Sequence, residues 1–330
     1  MKAILHNIRR LFLKLRLEEA TALLFLIPSA VFTFVAVGYF STQGKIPYKY
    51  IGGIWRLLAV LIFFAIIYLA NRYKHRFRIA HFIRETLPFG LAIAVYTNLH
   101  DTIAFISPGD VSPHLIAIDE FIFGLNPVLW AEKFYHPVLT EIFSFCYMNF
   151  FAYSIILAGL LYFTKPYKEY YETMLGVVLL FYGGYFLYIL FPAVPPRITL
   201  LPLYTKTLDG AFLTSLQDRV VNIGMATSRG AFPSLHCANT LINLIYSWKY
   251  KRMFFWLFLP IAIGLVLATV YLRHHYVIDI FAGFALATAV FLLTPKLLKL
   301  WQGWQAKYAV DQQPERCISP IPEVETATID

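Results

Sequence analysis

A chain of 330 residues that is 59% hydrophobic and only 14% charged has too little polar surface to cover itself in water, which excludes an ordinary soluble domain. The formal net charge of +9 does not point to nucleic acid, because Lys and Arg fall in short clusters between apolar runs, as topogenic charges do. Cys146, Cys237 and Cys317 show no paired spacing, so neither a disulfide framework nor a zinc site is implied.

Residues 1–20 carry Lys2, Arg9, Arg10, Lys14 and Arg16 among Ile, Leu and Phe, a basic amphipathic segment suited to an anionic leaflet. Thr21 to about Phe40 is too long for the apolar region of a cleaved signal and reads as the first crossing, with Pro28 a tolerated kink. A second crossing over 53–70 leads into the basic cluster Arg72, Lys74, Arg76 and Arg78. Six more apolar runs follow, over 86–106, 138–163, 172–191, 234–248, 254–272 and 276–294. Each approaches the roughly 20 residues that a bilayer core demands. The predicted fold is therefore all-α, a polytopic membrane helical bundle of about eight transmembrane helices.

An even number of crossings puts both termini on one side. The clusters at Lys165 and Lys168, at Lys249, Lys251 and Arg252, and at Lys296 and Lys299 make that side cytoplasmic. Two outer loops are long enough for structure of their own: 107–137, which reads as a short interfacial helix with turns, and 192–233, which holds an amphipathic stretch over 208–221. Beyond Tyr308 the chain is polar, acidic and rich in Pro, as disordered tails are.

The residues that carry chemistry lie at the ends of these runs, where ionisable groups in a membrane protein usually serve function. His275 and Asp279 are four apart and share a helix face, so the carboxylate can hold one imidazole nitrogen and leave the other to react. An imidazole held in that way is a competent nucleophile toward phosphorus. Taken alone, the pair equally fits two polar groups satisfying each other. Pro233-Ser234 before an apolar run marks a helix start, where Ser234 and the N–H groups near Leu235 and His236 form an anion site. There His236 is placed to protonate a leaving oxygen, although a plain cap beside an interfacial histidine has the same pattern.

Arg197 closes the rigid run Pro192-Ala193-Val194-Pro195-Pro196 and offers paired planar donors either to a phosphate at the site or to lipid headgroups. Arg273 and His274 flank the nucleophile and are further phosphate candidates. His100 and Asp101 fit either substrate contact or a helix cap, the cap being favoured, and Gly183-Gly184 reads as a close approach of helices. Topology favours phosphate chemistry over the plainer readings: Arg197, Ser234, His236, His275 and Asp279 all fall on one predicted outer face.

At these residues the chain resembles the type 2 phosphatidic acid phosphatase and haloperoxidase superfamily, whose later motifs have the forms P-S-G-H and S-R-x5-H-x3-D. The closer likeness is to the inositol phosphorylceramide synthase branch, carried by Phe232-Pro233-Ser234-Leu235-His236 and by Thr269 to Asp279, with 191–197 and 119–127 in support. Leu235 stands where the broad family has Gly, Ala268-Thr269 where it has Ser-Arg, and Leu190 where it has the first motif's lysine. The resemblance covers about 90–295 and implies a six-helix phosphatase-type core over 86–295. Residues 1–85 would then add the amphipathic segment and two extra crossings, and 296–330 a disordered cytoplasmic tail. It also implies His275 as nucleophile, Asp279 as its orienting group, His236 as acid, and Arg197 and Ser234 on phosphate.

The resulting expectation is an integral protein of a plasma or inner membrane, acting on a lipid phosphate or phospholipid at the extracytoplasmic or lumenal face. A phosphohistidine intermediate would pass its group to water, as in a phosphatase, or to an alcohol, as in a sphingolipid-forming phosphotransferase. No cofactor, metal or nucleic-acid partner is expected, because the motifs hold no carboxylate cluster and Arg197 supplies positive charge. The alternative from another class is a transporter with the His/Asp set in its translocation path. Such groups usually lie near the bilayer midplane and in repeated halves, and neither is visible in this sequence.

Overall fold

A computed structural model describes residues 12–13, 15–42, 78–107, 109–225 and 229–307, with positions 58, 61, 62, 65, 66 and 69 between them. Most of the predicted crossing over 53–70, the Arg72 to Arg76 cluster and the tail from 308 lie outside the described residues. Among the described residues the chain is all-helical, with one β contact, a parallel bridge between Ala193 and Gly230. In chain order the helices are α1 (Leu17–Thr42), α2 (Arg78–Ile106), α3 (Ser112–Phe123), α4 (Pro127–Trp130), α5 (Pro137–Met148), α6 (Phe150–Thr164), α7 (Tyr167–Leu190), α8 (Pro196–Thr199), α9 (Phe212–Met225), α10 (Leu235–Tyr250), α11 (Arg252–Tyr271) and α12 (Val277–Lys307).

Among the described residues three helices, α7, α11 and α12, are long and apolar enough to cross a membrane, and up to five crossings result if each of two bent pairs is one span. The eight expected crossings are not reached by this count. Of the apolar window of α7, 67% is buried within the protein, against 33% in α11 and 28% in α12. Helix α7 is thus the central staff, lined by buried Tyr170, Leu175, Val178, Tyr182 and Tyr185, while α11 and α12 turn most of their apolar surface outward. Trp248, Trp256 and Met253 are exposed beside Lys249, Lys251 and Arg252, the aromatic and basic mixture of a membrane interface.

The run predicted as one crossing over 138–163 is instead bent by 45° between α5 and α6. The cause is Asn149, whose side-chain amide takes the Phe145 carbonyl at 2.8 Å, the acceptor that its own N–H would use in an α-helix. Its N–H turns to Cys146 O at 3.3 Å instead, and the regular ladder resumes with Tyr153 N–H to Asn149 O at 3.0 Å. The last helix departs from expectation in the other direction: it runs through Pro295 to Lys307, so the tail starts later than 296. Trp301 and Gln305, one turn apart, reward this extension by donating to the amino-terminal segment, Trp301 Nε1 to Leu15 O (3.2 Å) and Gln305 Nε2 to Leu13 O (2.7 Å).

Buried charges join α1 and α2 to α7 at the end away from the histidines. Arg16 meets Glu18 and Glu85, each at 2.5 Å, Arg84 meets Glu19 at 2.6 Å, and the Tyr167 hydroxyl donates to Glu85. At the other end two glycines admit the start of α10. Gly184 of α7 lies against the Leu235 side chain, and a Cβ at Gly283 of α12 would stand 2.5 Å from the Ser234 carbonyl oxygen. Backbone cannot move aside as a flexible side chain can, so Gly283→Ala should destabilise by about 1–3 kcal/mol, the usual cost of overpacking. Thermal unfolding in detergent will show it as a lowered Tm, whereas Gly303→Ala, where nothing lies within 4 Å, should not lower Tm.

Candidate active site

Three connecting segments build the floor of the site. Ala193 N–H donates to Arg229 O and Ala231 N–H to Ala193 O, both at 3.0 Å, while Val111 N–H reaches Pro192 O at 2.9 Å. Val194 N–H donates to Ser112 Oγ at 2.7 Å, and Arg229 Nη1 to Gly109 O at 2.9 Å. This lacing holds the Ala231 carbonyl toward the turn between α11 and α12. In that turn the N–H groups of His274 and His275 both donate to Thr269 O, at 2.9 and 3.0 Å.

His275 is 4% exposed, and its two ring nitrogens face different groups. Nδ1 lies 2.9 Å from the Ala231 carbonyl and 3.4 Å from Asp279 Oδ2. A carbonyl only accepts, so Nδ1 carries the proton and Nε2 presents its lone pair. Nε2 lies 3.3 Å from His236 Nδ1. The paired histidines and the Asp279 partner predicted from sequence are therefore brought together in one place.

Asp279 is fully buried, and its Oδ2 also accepts Tyr276 N–H at 2.9 Å. Its backbone carbonyl accepts Ser234 N–H at 3.0 Å, which ties the start of α10 to the first turn of α12. A second carboxylate works from α3. Asp119, 1% exposed, accepts Val277 N–H at 2.8 Å and Ile278 N–H at 2.9 Å. Asp119 thus satisfies the first two orphan donors of α12, Asp279 the N–H just before them, and both carboxylates oppose the helix dipole. A lone acidic pair in the apolar stretch Leu115 to Phe123 was the available signal for Asp119, but no helix partner can be read from it.

The phosphate candidates fare differently. Ser234 caps α10 as expected, accepting Cys237 N–H at 3.3 Å, and it is fully buried in that role. Arg197 is half-buried, its N–H bonded to Arg273 O at 2.8 Å, and its charge reaches both His274 and Asp218. Arg273 is not directed at the histidines. Its guanidinium donates to Glu132 Oε1 and Lys206 O, each at 2.7 Å, and lies 3.7 Å from the centre of the Tyr204 ring. The side chains of His100 and Asp101 are outside the described residues.

Sequence reading missed two groups altogether. Tyr147 of α5 stacks with His236 at 4.6 Å and with His274 at 4.4 Å between ring centres, so one aromatic ring serves both imidazoles. Gln217 of α9 places its Nε2 3.0 Å from His274 Nε2. Burial, with help from Arg197 and the neighbouring histidines, pushes the His274 imidazole well below the usual 6.5, so it is neutral in the folded protein.

A helical membrane protein with a His-His-Asp centre at one end of its bundle is the class that fold and site define. Residues 114–293 match the PAP2 superfamily, more than half of the chain, and the chain belongs to that superfamily. A "PA-phosphatase related-family protein" of Dictyostelium discoideum is 36% identical over 109 residues, 32% of this chain and 19% of that relative. The matched region is thus about a fifth of the relative's length. No solved structure matches. The family match starts at His114, so α1 and α2 lie before it.

Two outcomes follow. Asp119→Ala leaves two buried N–H groups without acceptors and should cost about 1–3 kcal/mol, read as a lower Tm and lower turnover, with Asp119→Asn in between because it keeps one acceptor oxygen. His274 is neutral when folded and binds a proton below about 6.5 when unfolded, so its contribution to stability falls as pH drops through that value. The decline in Tm from pH 7 to pH 5 should therefore be shallower in His274→Gln than in the parent protein.

Proposed function

We propose that this protein is a membrane-embedded lipid phosphatase or phosphotransferase working through a phosphohistidine on His275. The observation that carries this reading is the division of labour on one ring: Nδ1 is held by Ala231 O and Asp279, and Nε2 faces His236. Superfamily membership supports phosphatase-type chemistry.

In the first step the two imidazoles part and the phosphoryl group enters between them. The lone pair of His275 Nε2 forms the N–P bond while the P–O bond to the leaving group breaks. His236, protonated as the anionic substrate approaches, gives its proton to the leaving oxygen. The phosphorylated ring is cationic, and Asp279 with the Ala231 carbonyl stabilises that charge through Nδ1–H. In the second step His236 takes a proton from water or an alcohol, whose oxygen attacks phosphorus and releases His275. Arg197 steadies the phosphoryl oxygens as a planar cation, and no metal takes part.

The finer reading follows from departures of this chain from the broad family. Leu235 in place of Gly and Ala268-Thr269 in place of Ser-Arg match the inositol phosphorylceramide synthase branch, which favours transfer of a phosphoalcohol to an alcohol on a sphingolipid-type acceptor over simple hydrolysis. The centre lies at the bundle end away from the Trp248 to Arg252 interface. With the positive-inside rule, that supports an extracytoplasmic or lumenal active face of a plasma or inner membrane. About eight crossings, six of them the catalytic core, complete this reading.

The test uses the purified full chain in detergent with phosphatidate labelled in its phosphate. Acid-labile, alkali-stable label should accumulate on the parent protein and be absent from His275→Ala, with turnover reduced about a thousandfold or more, as for loss of a nucleophile. His236→Ala should fall less on a donor with an aryl leaving group, which needs no proton, than on phosphatidate. Activity should survive chelators, and addition of free alcohols should divert product from inorganic phosphate to the alcohol's phosphomonoester if transfer dominates. Full turnover in His275→Ala on every lipid phosphate tried sinks the assignment.

A further inference from the structure

The Gln217 carboxamide is a buried polar group that the histidine chemistry leaves unused. It is 2% exposed on the inner face of α9, with Nε2 against His274, and its Oε1, also buried, has no hydrogen-bond partner. Such an atom is unfavourable, and packing of α9 does not require it. That helix is anchored to α5 by other groups: Glu141 accepts the N–H groups of Ala211 (2.9 Å), Leu213 (2.6 Å) and Thr214 (3.1 Å), and Ser144 meets Thr214 at 3.1 Å.

Exchanging the amide oxygen and nitrogen does not remove the deficit. The oxygen would then accept from a protonated His274 Nε2, and the amide N–H groups would be left without an acceptor. A hydroxyl group satisfies either arrangement, because it both donates and accepts. Gln217 stands next to the chemistry: His274 shares the Tyr147 ring with His236, and Asp218, the following residue on α9, lies within electrostatic reach of Arg197.

We infer that Gln217, oriented by His274, is a specificity-determining residue that hydrogen-bonds a hydroxyl group carried beside the phosphate at the histidine centre. The ligand class is a hydroxylated phosphoalcohol, as the headgroup of the donor lipid or as the alcohol that accepts the phosphoryl group. This rests on the phosphoryl-transfer reading and names what its site selects. A site built around a hydroxyl penalises an analogue that lacks one, since the protein's own buried group is left unpaired.

The decisive measurement is a selectivity ratio, because a merely structural role for Gln217 would weaken all ligands alike. Full-length protein in detergent is titrated with glycerol 3-phosphate and with methyl phosphate, of the same charge but without hydroxyls, and binding is followed by thermal shift. The parent protein should prefer glycerol 3-phosphate by about tenfold or more, the scale of one buried hydrogen bond. Gln217→Met, close in volume and unable to make that bond, should bring the ratio near one. Gln217→Glu, which keeps an acceptor oxygen, should hold it closer to the parent's. A parent protein without preference, or a Gln217→Met protein that keeps it, overturns the inference and leaves water as the partner of Gln217.

Kinetics separate the two sources of the hydroxyl. With phosphatidylglycerol as donor, a rise in KM relative to phosphatidate in Gln217→Met places it on the donor headgroup, and a rise confined to the KM of added glycerol places it on the acceptor. A rise in neither overturns the inference. A parent protein inert on every lipid phosphate sinks phosphoryl transfer instead, while the binding ratio still decides whether Gln217 reads a hydroxyl.

Discussion

The proton on His275 Nδ1 is the constraint around which the site is organised. Two acceptors on different parts of the chain, the Ala231 carbonyl and the Asp279 carboxylate, hold it there, and so leave Nε2 as the nitrogen that faces His236. Neither acceptor stands alone. The carbonyl is fixed by the lacing of 229–231 with 192–194 and 109–112, and the carboxylate by the first turn of α12. Long separations along the chain thus converge on one hydrogen, and small shifts in any of these segments are felt at Nε2.

The two helices that carry the site start in different electrostatic states. The first two donors of α12 are taken by Asp119 and the N–H of Tyr276 just before them by Asp279, so carboxylates inside the protein already oppose its dipole. Helix α10 has a neutral cap, Ser234, with no carboxylate on its first turn. In the proposed reaction a phosphate dianion would meet a positive helix end at His236 and a neutralised one next to His275. That asymmetry agrees with the proposed division between an acid on α10 and a nucleophile ahead of α12.

Much of this was legible in the sequence. Spacing paired His275 with Asp279, although His275 sits in the turn ahead of α12 and not on a shared helix face; Pro233-Ser234 marked the start of α10, and apolar runs located the long helices. What stayed hidden depends on direction rather than composition. The bend at Asn149 comes from one side-chain amide competing with the backbone, and the extension of α12 to Lys307 from Trp301 and Gln305 finding carbonyls some 290 residues earlier. The Leu235 departure becomes intelligible only in space: Gly184, read from sequence as a close helix approach, lies where the added isobutyl group packs. Leu235, where the resemblance implies Gly, is accommodated by the missing side chain of Gly184 on α7.

Arg273 shows why adjacency to a nucleophile is a weak guide. Its backbone adopts φ 64°, the left-handed region that residues with a Cβ rarely enter. Such a conformation persists only where surroundings over-determine it. Here the side chain supplies that restraint, through Glu132, the Lys206 carbonyl and the faces of Tyr204 and Tyr135. The reversal at Arg273 sends the chain from α11 into α12 and sets His274 and His275 side by side against Thr269 O. Its carbonyl also accepts the N–H of Arg197, so one strained residue positions both the histidine turn and the cation that remains near it. The charge of Arg273 contributes to the site by holding this backbone reversal, and in the proposed reaction Arg197 is the arginine assigned to the phosphoryl oxygens.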